Sequence, residues 1–240
     1  MDSPSISIVV PFFDTPPEFF YACLRGLKGL KPFEIIVVDD CSSDEETIAI
    51  AKGMGCRYLK TPYQSGSDAL PFNMGVEVAK GEYVCRVDSD DLLLELPSKM
   101  THEIHFAYLD RVKVPLDVSV EKLILQPRAI CNGMVAKRSL WMRYPYIERA
   151  KIYTDVLCAM RMLYNGHSYS VNPRVNYIYR KRKGSIQDSK SHFTHRLTHI
   201  QTVAQFCLDE EIDPAQSIHL LELAMLNLKY GSKSIEYCKI

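Results

Sequence analysis

Glu34-Ile35-Ile36-Val37-Val38-Asp39-Asp40 sets four consecutive β-branched residues against a pair of carboxylates. Side chains alternate across a strand, so an unbroken apolar run is a strand buried on both faces, as happens where helices cover both sides of a parallel sheet. Toward the N-terminus, Pro16-Pro17 opens a segment with Phe20, Cys23, Leu24, Leu27 and Leu30 on one side, and Lys31-Pro32 ends it. That pattern is an amphipathic helix. Before it stands another β-branched run, Ile6 to Val10, closed by Pro11. Toward the C-terminus, Ser43 is expected to cap a helix over Thr47 to Met54, with Glu46 as capping-box partner. Cys56 to Leu59 reads as a third strand, Asp68 to Ala79 as a helix, and Tyr83-Val84-Cys85-Arg86-Val87 as a fourth strand. Strands and helices alternating through short connections predict an α/β fold with a mostly parallel sheet and right-handed crossovers.

Beyond residue 96 the pattern is less regular. Pro97 is expected to start a short helix, Val112-Lys113-Val114 and Ala129 to Ala136 are candidate strands, and Tyr153 to Leu163 reads as a helix stopped by Asn165-Gly166. Val175 to Tyr179 reads as one more strand. From Ser191 the chain turns helical, one segment reaching about Cys207 and another running from Asp213-Pro214 to Tyr230-Gly231. The expected organisation is an α/β body over 1–187, in halves 1–96 and 97–187, with a helical extension over 188–240 packed on it.

The 240 residues are 47% hydrophobic and 24% charged, the proportions of an ordinary globular protein. Lysine and arginine number 29, as do aspartate and glutamate, so no whole-molecule field attracts nucleic acid or anionic lipid. No nucleic-acid partner is expected. Eight cysteines without a Cys-x-x-Cys pair point to a reducing cytoplasm. No signal-peptide pattern opens the chain, and no apolar run approaches the ~20 residues of a spanning helix. The expected location is the cytoplasm, with peripheral contact at the cytoplasmic face of a membrane left open.

Ligands of open parallel sheets bind outside the carboxyl ends of the strands. Asp14 follows the first strand, Asp39 and Asp40 the second, and Asp88, Asp90 and Asp91 the fourth. An isolated acidic turn is more often a solvated cap than a site. Two acidic strand ends in one βα frame favour a hard divalent ion, which takes carboxylate oxygens, keeps waters and completes its shell from substrate phosphates.

Four motifs then carry a resemblance. Ile8-Val9-Val10-Pro11-Phe12-Phe13-Asp14, Glu34 to Asp44, Asn73-Met74-Gly75 with Ala79-Lys80-Gly81-Glu82-Tyr83, and Asp88-Ser89-Asp90-Asp91 resemble, in order and spacing, the family 2 glycosyltransferases of GT-A fold. The resemblance covers residues 5 to about 185 with decreasing specificity. It implies a nucleotide-sugar-binding half (1–96) and an acceptor-binding half (97–187). It further implies inverting transfer of a sugar from a nucleotide-diphosphate donor, UDP-sugar favoured, to a hydroxyl of a glycan or lipid-linked glycan, with Mn2+ or Mg2+ at the acidic turn. Carried over by position, Pro11, Phe12, Asp14, Asp39 and Asp40 lie near the nucleotide, with Asp40 accepting from the base. Asp88 lies by the ribose, Ser89 belongs with it to the donor-nucleotide site, and Asp90 holds the metal. Asp91 either orients that shell or caps a following helix. Thr154-Asp155, followed by Leu157, Arg161, Leu163 and Gly166, resembles the family's catalytic pair and makes Asp155 the candidate general base; the alternative is an acid that merely favours a helix N-terminus.

The chain departs from that pattern in three places. Asp14 stands where the family often has Asn, and Pro71-Phe72-Asn73 where Ala-Arg-Asn is common, which removes a basic contact that Arg86 is a candidate to replace. In Tyr179-Arg180-Lys181-Arg182-Lys183-Gly184-Ser185, Arg182 replaces a His; it cannot ligate a metal but can clamp a phosphate, so the loop reads as a diphosphate cover or, second, as a membrane-surface contact. His192, His195 and His199 share a helical face with metal-ligand spacing, for which a polar face is the simpler reading. Trp141, Tyr144, Tyr146 and Tyr153 either line a sugar site or pack under a loop. The competing functions are a non-catalytic sugar-nucleotide-binding homologue and a nucleotidyltransferase. The latter usually has a Gly-rich basic loop after the first strand, and Phe12 to Pro17 has neither feature.

Overall fold

β1 (Ile6–Phe12), α1 (Pro17–Gly29), β2 (Glu34–Asp39), α2 (Glu45–Gly53), β3 (Arg57–Lys60), α3 (Ala69–Val78) and β4 (Tyr83–Arg86) follow one another in strict alternation. The computed structural model describes residues 3–110, 118–125, 131–148, 153–181 and 192–230. The four strands are parallel in the order β3-β2-β1-β4, with Val10 opposite Val37 and Val9 opposite Arg86. After them come β5 (Leu92–Leu93), β6 (Ile104–Phe106), α4 (Val120–Leu125), β7 (Val135–Lys137), α5 (Arg138–Arg143), α6 (Thr154–Tyr164), β8 (Tyr169–Val171) and β9 (Tyr177–Ile178). β7 lies antiparallel to β4 and to β6, and β8 lies parallel to β6, which completes seven strands. β5 and β9 form a separate antiparallel ribbon. Two helices, α7 (His192–Asp209) and α8 (Pro214–Tyr230), follow.

Alternation divides the core in two, as a sheet covered on both faces requires. Ile8, Val10, Ile35, Val37 and Cys85 pack with Phe20, Leu24 and Leu27 of α1, while Val9, Ile36, Val38 and Val84 pack with Phe72 and Val76 of α3. A Cβ at Gly75 would stand 2.3 Å from Val9 Cγ1, so α3 lies against β1 only because residue 75 has no side chain. Val203, Phe206, Leu220 and Leu223 of α7 and α8 belong to the same core as Val9. The C-terminal helices thus share the hydrophobic interior of the α/β body.

Several expectations are corrected. Pro11 does not end β1: Phe12 O accepts from Asp40 N on the β2 side, so Pro11 faces β4, whose ladder stops at Val87 N to Val9 O. A residue without an N–H costs nothing there. The cap of α2 is Asp44, whose side chain accepts from Thr47 N at 2.7 Å. Pro97 starts no helix; Leu94 N donates to Asn176 O and Asn176 Nδ2 to Glu95 O, which keeps the segment before it extended. In the expected strand Ala129 to Ala136, residues 131–134 instead form a turn with Gly133 at φ 75, and β7 begins at Val135. Val112-Lys113-Val114 lies outside the described residues. The polar-face reading of the histidines fails, because His195 and His199 are 4% and 0% exposed. His199 Nε2 lies 2.7 Å from Ile124 O, and its ring packs 5.1 Å from that of Tyr153; the side chain of His192 lies outside the described residues.

Candidate active site

The first two strand ends spend their carboxylates on the protein itself. Asp14, at φ 40, accepts from Ser43 N (2.7 Å), Ser43 Oγ (2.9 Å) and Asp44 N (2.9 Å), which ties the loop after β1 to the loop after β2. Burial works to raise its pKa, and the bonds from Asp44 and Ser43 outweigh it and hold Asp14 below the ordinary carboxylate range. Asp39 is wholly buried and accepts from Ser42 N and Tyr58 Oη, both at 2.7 Å. Asp40 accepts from Thr61 Oγ1, Ser65 N, Ser65 Oγ and Gly66 N. It is the strut of the loop after β3. Pro11 and Phe12 are buried, and Phe12 stacks on Phe20 at 4.6 Å. The aromatic left on the rim is Phe13, 42% exposed; sequence alternation beyond Phe12 is the signal that picks it out.

The third strand end is different. Asp88 N donates to Tyr177 Oη at 3.1 Å, and the Asp88 carboxylate meets Arg86 Nη2 and Asn132 Nδ2. Ser89 Oγ shares a hydrogen bond with Thr15 Oγ1 at 2.6 Å, which joins the turn to the loop after β1. Asp91 N closes the turn on Asp88 O, and Asp91 Oδ1 accepts from Arg180 N at 2.8 Å. No helix follows, so the capping alternative for Asp91 is excluded; β5 follows directly. Burial, with Asp88 beside it, pushes Asp91 up to about 8. Arg180 donates to Asp90 O and Phe19 O and stacks 4.7 Å over the Phe19 ring. The β5–β9 ribbon therefore fastens the start of the basic loop to the acidic turn. Arg182 lies outside the described residues.

Arg86 sits where the two halves meet. Its Nη2 contacts both Asp88 and, at 2.7 Å, Asp68, the residue preceding α3. Asp68 in turn accepts from Thr154 Oγ1 at 2.9 Å, the first residue of α6. Asp155 comes next. Burial raises its pKa, Arg86 lowers it, Asp68 raises it, and the net direction is upward. Phe72, at the family's arginine position, is core, 4.9 Å from the Trp141 ring and 4.5 Å from that of Tyr146. Trp141, Tyr144 and Tyr146 are likewise buried, so packing is their role here. Sequence reading missed Asp68, since an acid directly before a helix reads as a cap; the Asp68 side chain makes no cap bond.

Among the described residues no three His, Cys, Asp or Glu side chains gather as a metal cage. The donor set is instead the half-buried Asp90 at a turn of carboxylates. That fits Mg2+ or Mn2+, which accept one or two protein oxygens and draw the rest from water and phosphate, and it does not fit a zinc-type site.

Residues 7–102 match the family model for Glycosyl transferase family 2. That match lies in the first half of the chain and makes this stretch similar to the family. A segment of the chain is 38% identical over 95 residues to the glycosyltransferase GlyG of Streptococcus pneumoniae, covering 38% of this chain and 31% of GlyG. The matched family 2 segment thus spans about a third of that relative's length. The fold as a whole superposes on S. aureus TarS 1–349 in complex with UDP-GlcNAc, with TM-score 0.72, 18% identity, and 97% of this chain and 75% of that one covered. The mannosyltransferase PcManGT from Pyrobaculum calidifontis, in complex with GDP-Man and Mn2+, gives TM-score 0.64 at 19% identity over 96% and 71% of the two chains. The architecture is the GT-A fold.

Proposed function

We propose that this chain transfers a sugar with inversion from a nucleotide-diphosphate sugar, UDP-sugar first, to a hydroxyl of a glycan or lipid-linked glycan acceptor. The proposed location is the cytoplasm, with peripheral contact at the cytoplasmic face of a membrane as the second reading. The observation that carries this reading is that Arg86 meets both Asp88 of the acidic turn and Asp68, which accepts from Thr154, the neighbour of Asp155 at the head of α6. A candidate base of one half is thereby tied to the donor turn of the other, the pairing that displacement with inversion requires. Asp155 takes the proton of the acceptor hydroxyl as that oxygen bonds the anomeric carbon. Its raised pKa makes it a stronger base than an ordinary carboxylate, and it works once the pH exceeds that pKa. Asp88 and Ser89 hold the ribose side, and Asp90 holds the divalent ion. When bound, that ion neutralises charge on the departing diphosphate. Arg180 keeps the turn in place through the carbonyl oxygen of Asp90 and the carboxylate of Asp91. The TarS and PcManGT complexes, with UDP-GlcNAc and with GDP-Man and Mn2+, support a donor and an ion of these classes.

The test is donor hydrolysis and transfer over UDP-, GDP- and dTDP-sugars with Mn2+, Mg2+ or chelator. Turnover of a nucleotide sugar that chelator abolishes is expected, and silence with every donor and ion rejects the reading. Asp90→Ala should remove metal-dependent donor binding. Asp155→Asn should spare binding and lower kcat by about 10²- to 10⁴-fold, the usual contribution of a positioned base.

A further inference from the structure

Arg86 is the last residue of β4, and Asp88, two residues on in the acidic turn, meets its guanidinium. One nitrogen of the guanidinium, Nη2, contacts the carboxylates of both Asp68 and Asp88. Nε is buried and makes no hydrogen bond among the described residues. Asp68 reaches across the cleft to Thr154, whose neighbour is Asp155. The N-cap of α6, Tyr153, sits in the left-handed region at φ 62 and its side chain gives no cap bond. The first turn of α6 is thus located by Thr154 on Asp68, and Asp68 by Arg86. A bonded path runs from the acidic turn through one buried cation to the residue beside the candidate base.

We infer that Arg86 is a positioning residue of the transfer reaction, holding the acidic turn and the head of α6 in register through Asp68 while touching neither donor nor acceptor. The inference rests on the reading of Asp155 as the base. It differs from a phosphate-clamp role, in which the guanidinium would meet the donor and its loss would appear in KM. A buried cation between acids of two elements moves both when removed, and an aligned base loses its advantage with small displacements. The loss therefore appears in kcat.

The groups that act on Asp155 are Arg86, Asp68, Asp88, Tyr146, Cys131 and Cys158. Arg86 favours its ionised form and Asp68 disfavours it. The two neighbours consequently give opposite signs. Without Arg86 the acid limb of the rate profile moves to higher pH, and without the Asp68 charge it moves to lower pH.

The experiment uses the full chain with UDP-GlcNAc and Mn2+, or whichever donor and ion support turnover, and measures kcat, donor KM and the pH profile. Arg86→Met should lower kcat about 100-fold with donor KM changed less than about 3-fold, a loss confined to the transition state. Because a single nitrogen bridges the two acids, Arg86→Lys should recover kcat to within about 10-fold of the parent. Asp68→Asn keeps the shape of a partly exposed side chain, so it gives the opposite pH shift even if Arg86→Met does not fold. A rise in KM at constant kcat in Arg86→Lys, or acid limbs that stay put or move together, overturns the inference. Transfer that survives Asp155→Asn removes the base itself, a failure of the proposed function that is recognisable before any Arg86 variant is measured.

Discussion

The carboxylates at the ends of β1 and β2 and the carboxylate at the head of α6 are the same chemical group in opposite circumstances. Asp39 and Asp40 are met by backbone amides and hydroxyls of their own half. Asp155 faces a cation supplied by the other half and two further acids. The difference separates struts from working groups. A saturated carboxylate is fixed by its donors, and its removal leaves those donors unpaired in the interior. A buried carboxylate with other acids near it has its proton affinity raised and is available to chemistry.

The largest effect that sharpens this contrast belongs to Asp40. Asp40→Ala strands Ser65 N and Gly66 N, and is expected to cost about 3 kcal/mol of stability, two such bonds to a charged group being lost together. Urea unfolding monitored by circular dichroism measures it. A variant of full stability that no longer binds UDP would break the comparison, because Asp40 would then be a ligand group as its position in the family motif implies.

How much of this was legible follows from the length of the signals. β1, β2 and β4 stood out because runs of three or more apolar residues do not alternate, and only a sheet covered on both faces hides such runs. β5, β6, β8 and β9 have two or three residues each, too few for any period. The α5 helix has six residues and no side-chain cap. The acidic turn was legible as a motif, and its tie to Asp155 was not, because that tie passes through Asp68 and Arg86, which are paired in space by the packing of α3 on the sheet. Phe12 and Asp14 were chosen by motif position, yet one became core and the other a clasp between loops. Motif position identifies the loop, and burial decides which residue of the loop is exposed.

The next effect tests whether the C-terminal helices belong to the working half or only lean on it. His199 is enclosed against α4 and Tyr153, and burial pushes its pKa down to about 4 from an ordinary 6.5. The folded state binds the proton less readily than the unfolded chain, so this residue destabilises the fold as pH falls below about 6.5 and has no effect above it. Between pH 7 and pH 5 the loss is about 2 kcal/mol by linkage. Asp91, raised to about 8, works the other way: its protonated form is favoured in the fold and adds stability as pH falls. The measurement must therefore be a difference. The stability of the parent minus that of His199→Gln should fall by the stated amount from pH 7 to pH 5. A flat difference would mean that the histidine is not enclosed.

The smallest effect discriminates within the donor half, at the head of α2. The capping-box spacing from Ser43 to Glu46 makes Ser43 the cap expected from the sequence. The Ser43 hydroxyl is engaged by Asp14 Oδ2 at 2.9 Å, which leaves Asp44 to meet Thr47 N. A negative charge at this helix start also suits the positive end of the dipole. Asp44→Ala should therefore cost about 1 kcal/mol, the usual loss for an N-cap. Ser43→Ala keeps the backbone N–H that donates to Asp14 Oδ1 and loses only a partly exposed hydroxyl bond, so it should cost about 0.5 kcal/mol, the low end for a neutral donor. Denaturant midpoints of the two variants decide the order. The reverse order would return the cap to Ser43 and free Asp14 from its clasp, which would turn one strut of the donor half into an open carboxylate.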